Sequence, residues 1–355
     1  MRFSFSSLAE TLEHASCQSG KSRLDSGLQS LEGIKGEAAL GCLLRLVGFF
    51  VLFLALAIAA RRLMEKPAAI PPPVFGEKDT LVGGIRWRSR EVGGDITPPV
   101  VFVHGLLSSS KTWKKVLASS ASAHTAIAVD LPGSGFSDRP WPHDYSAPSQ
   151  ALALLDFLDT RKIDRAVLVG TSLGGAVSLI AAAARPDRVA GLVLVGAASP
   201  GMTIPWSFRT LRTPILGELQ IEFLVRPVVE FGLRHRLYAR AGNVTEEMVS
   251  DWWDPIPVPG TRRAALGFVR SRTAGYEGLL PKIRVPKLIV WGKEDRLLPA
   301  SDGMRLASEM PGARLVILPD CGHLPQEEVP VAFSSIVAEF VKHLPAAEPA
   351  IPRPD

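Results

Sequence analysis

Between residues 76 and 343, short apolar runs rich in β-branched residues alternate with longer stretches whose apolar positions recur at helical spacing. The runs fall at 100–103, 125–129, 166–169, 192–195, 288–291 and 315–318. They are nearly continuous rather than alternating, as expected of parallel strands covered on both faces. Ahead of them, 80–82 and 85–88 flank Gly83-Gly84, a hairpin-turn composition, so the sheet should open antiparallel. Together these runs predict an α/β protein with a doubly wound, mostly parallel eight-stranded sheet. The rhythm stops at about 200–275, where Trp206, Phe208, Leu211, Phe223, Phe231, Trp252 and Trp253 are interspersed with arginines. No strand run occurs there. The segment is expected to be a helical cap, inserted after a strand's carboxyl end where a substrate pocket needs a wall.

A second pattern lies upstream. Residues 38–60 are apolar apart from Arg45, and the unbroken run 46–60 lies within them. The segment is long enough to cross a bilayer as a helix, with Arg61 and Arg62 as interfacial anchors. A single-pass signal anchor is the expectation. Its competitor is a cleaved signal peptide, because Ala57-Ile58-Ala59 reads as a cleavage site, and the protein would then be secreted or periplasmic. Basic residues on the two sides of the segment show no usable asymmetry, so the side that carries the folded domain stays open. Residues 1–37 read as a polar, disordered leader, 61–75 as a proline-rich extended spacer, and 344–355 as a disordered tail.

Composition narrows the classes. With 46% hydrophobic residues in 355, the chain can build a sizeable core. The net charge of +5 comes from 40 basic residues dispersed among 35 acidic ones, without the basic block that tracks a phosphate backbone. Nucleic acid is therefore not expected as a partner. Cys17, Cys42 and Cys321 are too few and too scattered for a disulfide framework or a zinc cluster.

The sharpest chemical signal is Gly170-Thr171-Ser172-Leu173-Gly174-Gly175, between the run 166–169 and an apolar helical stretch. A serine on a tight strand-to-helix turn exposes its hydroxyl, and flanking glycines remove side chains that would collide there. Ser172 is the candidate nucleophile. Its base is sought among seven histidines. His323, in Asp320-Cys321-Gly322-His323, follows the last strand run and is the choice; His104 instead ends a strand and should shape a turn. The orienting acid is Asp295, just beyond the run 288–291, with Glu294 as the adjacent alternative and a surface role as that residue's simpler explanation. Backbone N–H groups of Leu173 and Leu106 are the expected oxyanion donors. The glycine-rich stretch 130–138 has no lysine at phosphate-loop spacing and reads as a structural turn.

In this order, His104-Gly105, the 130–138 turn, the Ser172 elbow, Asp295 and His323 resemble the α/β-hydrolase superfamily over roughly residues 76–343. The elbow combined with segment 38–60 is similar to anchored monoacylglycerol lipases and esterases. The resemblance implies a serine hydrolase acting on carboxylic esters through an acyl-enzyme, with a small-molecule or lipid substrate and no cofactor. Ser172 argues against haloalkane dehalogenases and epoxide hydrolases, which carry aspartate at the elbow. Carbon-carbon bond hydrolases, thioester hydrolases and cofactor-free haloperoxidases remain alternatives on the same triad, and a ligand-binding receptor is the non-enzymatic one. Oligomeric state is left open. The cap arginines Arg209, Arg212, Arg226, Arg234, Arg236 and Arg240, mixed with large apolar residues, suit anionic headgroups and acyl chains.

Overall fold

The computed structural model describes residues 68–345 except 75, 94–96, 121–124 and 272–277, together with Arg45, Gly48, Phe49, Leu52, Leu56 and Ile58. Those six early residues are helical. Most of segment 38–60, the leader 1–37, and most of the tail 344–355 lie outside the described residues. Among the described residues, no helix is long and apolar enough to cross a membrane.

An eight-stranded sheet forms the centre of the unit that starts at Lys66, in the order β1-β2-β4-β3-β5-β6-β7-β8. The hairpin β1 (Glu77–Val82) and β2 (Ile85–Val92) turns at Gly83-Gly84, and β2 pairs antiparallel with β4 (Ala126–Val129). From there β3 (Val100–Val103), β5 (Ala166–Thr171), β6 (Val189–Val195), β7 (Lys287–Gly292) and β8 (Arg314–Leu318) all run parallel. Residues alternate between the two faces of each strand, so one apolar run feeds two cores. Val101, Val103, Leu168, Leu194 and Ile289 pack on one side with α2 (Ala147–Thr160), α3 (Leu173–Ala184) and α9 (Ala300–Glu309). Phe102, Val169, Val193 and Val290 pack on the other with Trp113, α1 (Lys114–Ser120) and α10 (Pro330–Lys342). Helix α2 is capped at Ser146, whose hydroxyl accepts from the Ser149 N–H, with Pro148 in the first turn.

Between β6 and β7 the chain runs through α4 (Trp206–Arg212), α5 (Leu216–Glu222), α6 (Arg226–Gly232), α7 (Glu246–Trp253) and α8 (Thr261–Arg270). Two small clusters, one around Leu233, Tyr238 and Val249 and one around Leu211, Ile221 and Leu266, hold these helices together. Basic residues beside α1 fasten α7: Lys111 pairs with Asp254 at 3.0 Å and Lys114 with Glu247 at 2.5 Å. Residues 68–74 form no helix or strand yet are bound, since Ala68 N–H donates to Pro257 O and Pro71 O accepts from Arg88. The spacer thus lies against the domain over that stretch, and Arg88 is buried there against Glu77 and Asp79.

Trp87 is fully buried in the face that carries α2 and stacks on Phe157 with ring centroids 5.2 Å apart. Replacing it with alanine leaves a cavity that the sheet cannot close. Trp87→Ala is expected to cost about 3–5 kcal/mol in denaturant unfolding, with the slope unchanged.

Candidate active site

Strand β5 delivers the chain into helix α3 at Ser172, whose backbone sits at φ 50° and ψ −118°. That is an uncommon conformation for a residue with a Cβ. It is pinned by two bonds to the neighbouring strand end: Ser172 N–H donates to Val195 O and Ser172 O accepts from Ala198 N–H, both at 2.9 Å. Glycines permit the approach. A Cβ on Gly170 would lie 2.2 Å from Gly174 O, and one on Gly174 would lie 2.2 Å from Val103 O. No side chain caps α3, so its amino end faces the serine with free N–H groups.

His323 follows β8. Its Nδ1 lies 2.7 Å from Asp295 Oδ2, and both side chains are almost wholly buried. The other carboxylate oxygen, Oδ1, accepts from the N–H groups of Leu297 and Leu298 at 2.8 and 2.9 Å. Asp295 is thereby fixed in the loop after β7 as a ready acceptor, which sets Nδ1 as the protonated ring nitrogen. Nε2 then carries the lone pair. It is buried and has no hydrogen-bond partner among the described residues. The ring sits against Gly196, the residue after Val195; a Cβ there would be 3.1 Å from Nδ1. Serine and imidazole therefore both lie at the same end of β6.

Leu106 and Leu173 both line the cavity beside Ser172, and neither backbone N–H has an acceptor among the described residues. The turn that presents Leu106 is held by His104, whose Nε2 accepts from Leu131 N–H at 3.1 Å while Nδ1 bonds Gly105 O at 2.7 Å. Burial, only partly offset by nearby Asp130, lowers the His104 pKa below its ordinary 6.5. Asp130 ties the 130–138 turn to the same region, accepting from Ser110 N–H at 2.5 Å and Phe136 N–H at 2.7 Å. A site for a phosphate is not needed to explain those glycines.

Glu294, the alternative acid, does not reach the imidazole. Its Oε2 accepts from Cys321 N–H at 3.0 Å, so it braces the histidine loop and is not the surface residue expected of it. Of the other histidines, His343 and His235 are exposed and His143 packs edge-on to Tyr145, while His14 and His124 lie outside the described residues.

Two functional features were invisible along the chain. Glu328 accepts from Gly322 N–H at 2.8 Å and from Ala239 N–H at 2.7 Å, joining the histidine loop to the segment after α6. His323 N–H adds a bond to Leu237 O at 2.7 Å. Next to it Glu327 is buried between Thr112, Tyr238 and Trp252, and burial pushes its carboxyl above the usual range. Neither glutamate has a local signal, because most of these partners lie tens of residues away. Cap arginines also sort differently from expectation. Arg226, Arg234 and Arg240 pair with Glu246, Glu230 and Asp320, leaving Arg209 and Arg236 exposed without an acidic partner among the described residues. Arg212 lines the cavity.

The strand order, the elbow and the Asp295–His323 pair define a class, and a family model described as alpha/beta hydrolase fold matches residues 98–330. This chain belongs to the alpha/beta hydrolase fold family. It is 30% identical over 254 residues to the uncharacterized hydrolase YugF of Bacillus subtilis, covering 68% of this chain and 89% of that protein. It is 32% identical over 256 residues to a 2-hydroxy-6-oxononadienedioate/2-hydroxy-6-oxononatrienedioate hydrolase of Burkholderia vietnamiensis, covering 68% and 86%. Among solved structures, a membrane phospholipase A described as a bacterial virulence factor shares the fold, with a TM-score of 0.65, 22% identity and coverage of 85% and 97%.

Three expectations follow from this geometry. Asp295→Asn should lower turnover about 10⁴-fold by losing the tautomer control, whereas Glu294→Gln should cost far less, as compared by kcat/KM. Glu328→Ala strips the acceptor from two backbone N–H groups and should cost about 1–3 kcal/mol in unfolding free energy with a clear fall in kcat. For His104 the native state binds a proton less readily than the unfolded one, so its contribution is full above about pH 6.5 and is lost as pH falls. Unfolding midpoints measured from pH 7.5 to 5.5 should fall more steeply for the wild type than for His104→Asn.

Proposed function

We propose that this chain is a serine hydrolase that cleaves carboxylic esters of amphiphilic, lipid-like substrates through an acyl-enzyme on Ser172. The observation that carries this reading is the buried, unpartnered Nε2 of His323 at the elbow end of the sheet, with Nδ1 already committed to Asp295. A base so arranged takes the Ser172 proton as Oγ attacks the ester carbonyl. Charge on the tetrahedral oxygen is received by the N–H groups of Leu106 and Leu173, helped by the amino end of α3. Collapse expels the alcohol, which takes the proton back from His323. Water then attacks the acyl-enzyme with the same imidazole as base, and the carboxylic acid leaves with Ser172 restored.

Support for a lipid-like substrate comes from the cavity, about 180 Å³ and lined by Leu179, Ile180, Met202, Phe208, Phe268 and Leu297 among others. Burying acyl methylenes there is worth about 0.8 kcal/mol each. Attachment to a membrane through 38–60 is part of the proposal and rests on the apolar run in the sequence. Exposed Trp206, Ile215 and Phe231 in the segment between β6 and β7 suit contact at an interface. A second reading, carbon-carbon bond hydrolysis on the same triad, is favoured by the likeness to the Burkholderia hydrolase, whose name gives a hydroxy-oxo-diacid as its substrate.

A fluorophosphonate probe should label the wild type and leave Ser172→Ala unlabelled, with ester hydrolysis reduced about 10⁴- to 10⁶-fold. An acyl-chain panel should peak at medium or long chains. No turnover of any carboxylic ester, with labelling intact, would exclude the ester reading in favour of the second one. For the membrane part, a chain starting at Lys66, which keeps the bonds of Ala68 and Pro71, should match the full chain on short soluble esters. It should lose efficiency on vesicle-borne monoacylglycerols; equal efficiency there would refute attachment.

A further inference from the structure

The cavity next to Ser172 is apolar apart from Ser172, Ser199, Ser271 and Arg212, the last being its one charged residue among those described. Arg212 is the final residue of α4 and is half-buried. Its Nε donates to Val269 O at 2.9 Å and its Nη2 to Ser271 O at 3.3 Å. Both acceptors are neutral carbonyls, which satisfy donors without cancelling charge. No carboxylate pairs with Arg212 among the described residues, whereas nearby Arg270 is neutralised by Glu218 and Arg305 by Glu309. A guanidinium has five N–H donors, so two such bonds leave Nη1 and part of the fork free.

A half-buried cation in an apolar wall, with no carboxylate beside it among the described residues, is a ready partner for an anionic group that enters the cavity. The two carbonyls hold the guanidinium plane, so little rotamer freedom remains to be lost on binding. One positive charge matches one negative charge, and a planar fork matches the two oxygens of a carboxylate. We propose that Arg212 is a specificity residue that binds a carboxylate carried by the substrate, so that the preferred substrates are esters bearing one carboxylate beyond an apolar stretch. The substrate class rests on the ester-hydrolase reading; the anion subsite rests on Arg212 alone. Low-dielectric walls strengthen the pair, so the preference should survive moderate salt better than a surface attraction would.

The test uses the full chain and ligands whose amide bonds are far harder to hydrolyse than esters: monoamides of linear diacids of about six to ten carbons, anionic at one end, and the matching neutral diamides. By titration calorimetry, the wild type should bind the best monoamide at least about tenfold more tightly than its diamide. Arg212→Met and Arg212→Gln should bring the two within about twofold, the glutamine variant keeping a donor for the carbonyls in case the methionine variant does not fold. Arg212→Lys should retain part of the preference, and thermal midpoints separate loss of fold from loss of discrimination. Equal binding of the pair by the wild type, or a preference that persists in Arg212→Gln, would overturn the proposal. Assays of carboxylate-ended and methyl-capped esters run alongside. Ester turnover without discrimination removes the Arg212 subsite, whereas anion preference without any ester turnover leaves the subsite standing and removes the ester reading.

Discussion

Helix α3 enters the sheet so closely that its first turn touches the ends of β3 and β6, and this contact sets the position of nearly everything else in the site. Ser172 is held there at a positive φ, a conformation that costs on the order of 1–3 kcal/mol and persists only when surroundings over-determine it. The bonds to Val195 and Ala198 supply that determination from β6, and Gly170 and Gly174 supply the room. Because the strain is met by the strand ladder, the rigid part of the molecule carries it. The same geometry aims the amino end of α3 at the serine, so an electrostatic contribution comes with the backbone and needs no further side chain.

On the opposite side of the serine, the imidazole belongs to two parts of the protein at once. Asp295 and Glu294, from the loop after β7, hold its ring and its loop, while Glu328 and Leu237 O bind that loop to the chain following α6. Glu327 makes the same connection a little deeper, through Thr112 on one side and Tyr238 and Trp252 on the other. A movement of the inserted helices would therefore be felt at His323 before it was felt at Ser172. Buried carboxylates that accept two or three donors each are costly to disturb, and this stiffens the base in one orientation.

The inserted helices do more than cover the sheet. Phe208, Arg212, Phe268 and Val269 complete a cavity whose floor is Ser172 and α3, so the chemistry at the elbow is read out only on what fits that space. Arg226, Arg234, Arg240 and Arg270 are neutralised within the protein, whereas Arg209 and Arg236 lie on the exposed surface and Arg212 stands in the cavity wall. This division turns a uniform basic composition into two separate features.

The eight-stranded sheet was legible in the chain because strands buried on both faces must be apolar at consecutive positions, and the runs at 100–103, 166–169 and 288–291 are. The elbow was legible for a related reason: a serine at positive φ against a strand end leaves glycines at fixed local offsets. Asp295 and His323 were singled out by their places after strand runs, and the structure puts them 2.7 Å apart. What the chain could not display are pairings between distant segments. Glu294 read as a surface residue but braces Cys321; Glu327 and Glu328 gave no local signal but join the His323 loop to the cap; Arg212 read as one cap arginine among several but stands in the cavity wall. Local pattern reports whether a position wants to be buried and with what periodicity. Which buried charge meets which partner is decided only when helices and loops tens of residues apart are packed, because desolvation and pairing depend on distance in space rather than along the chain.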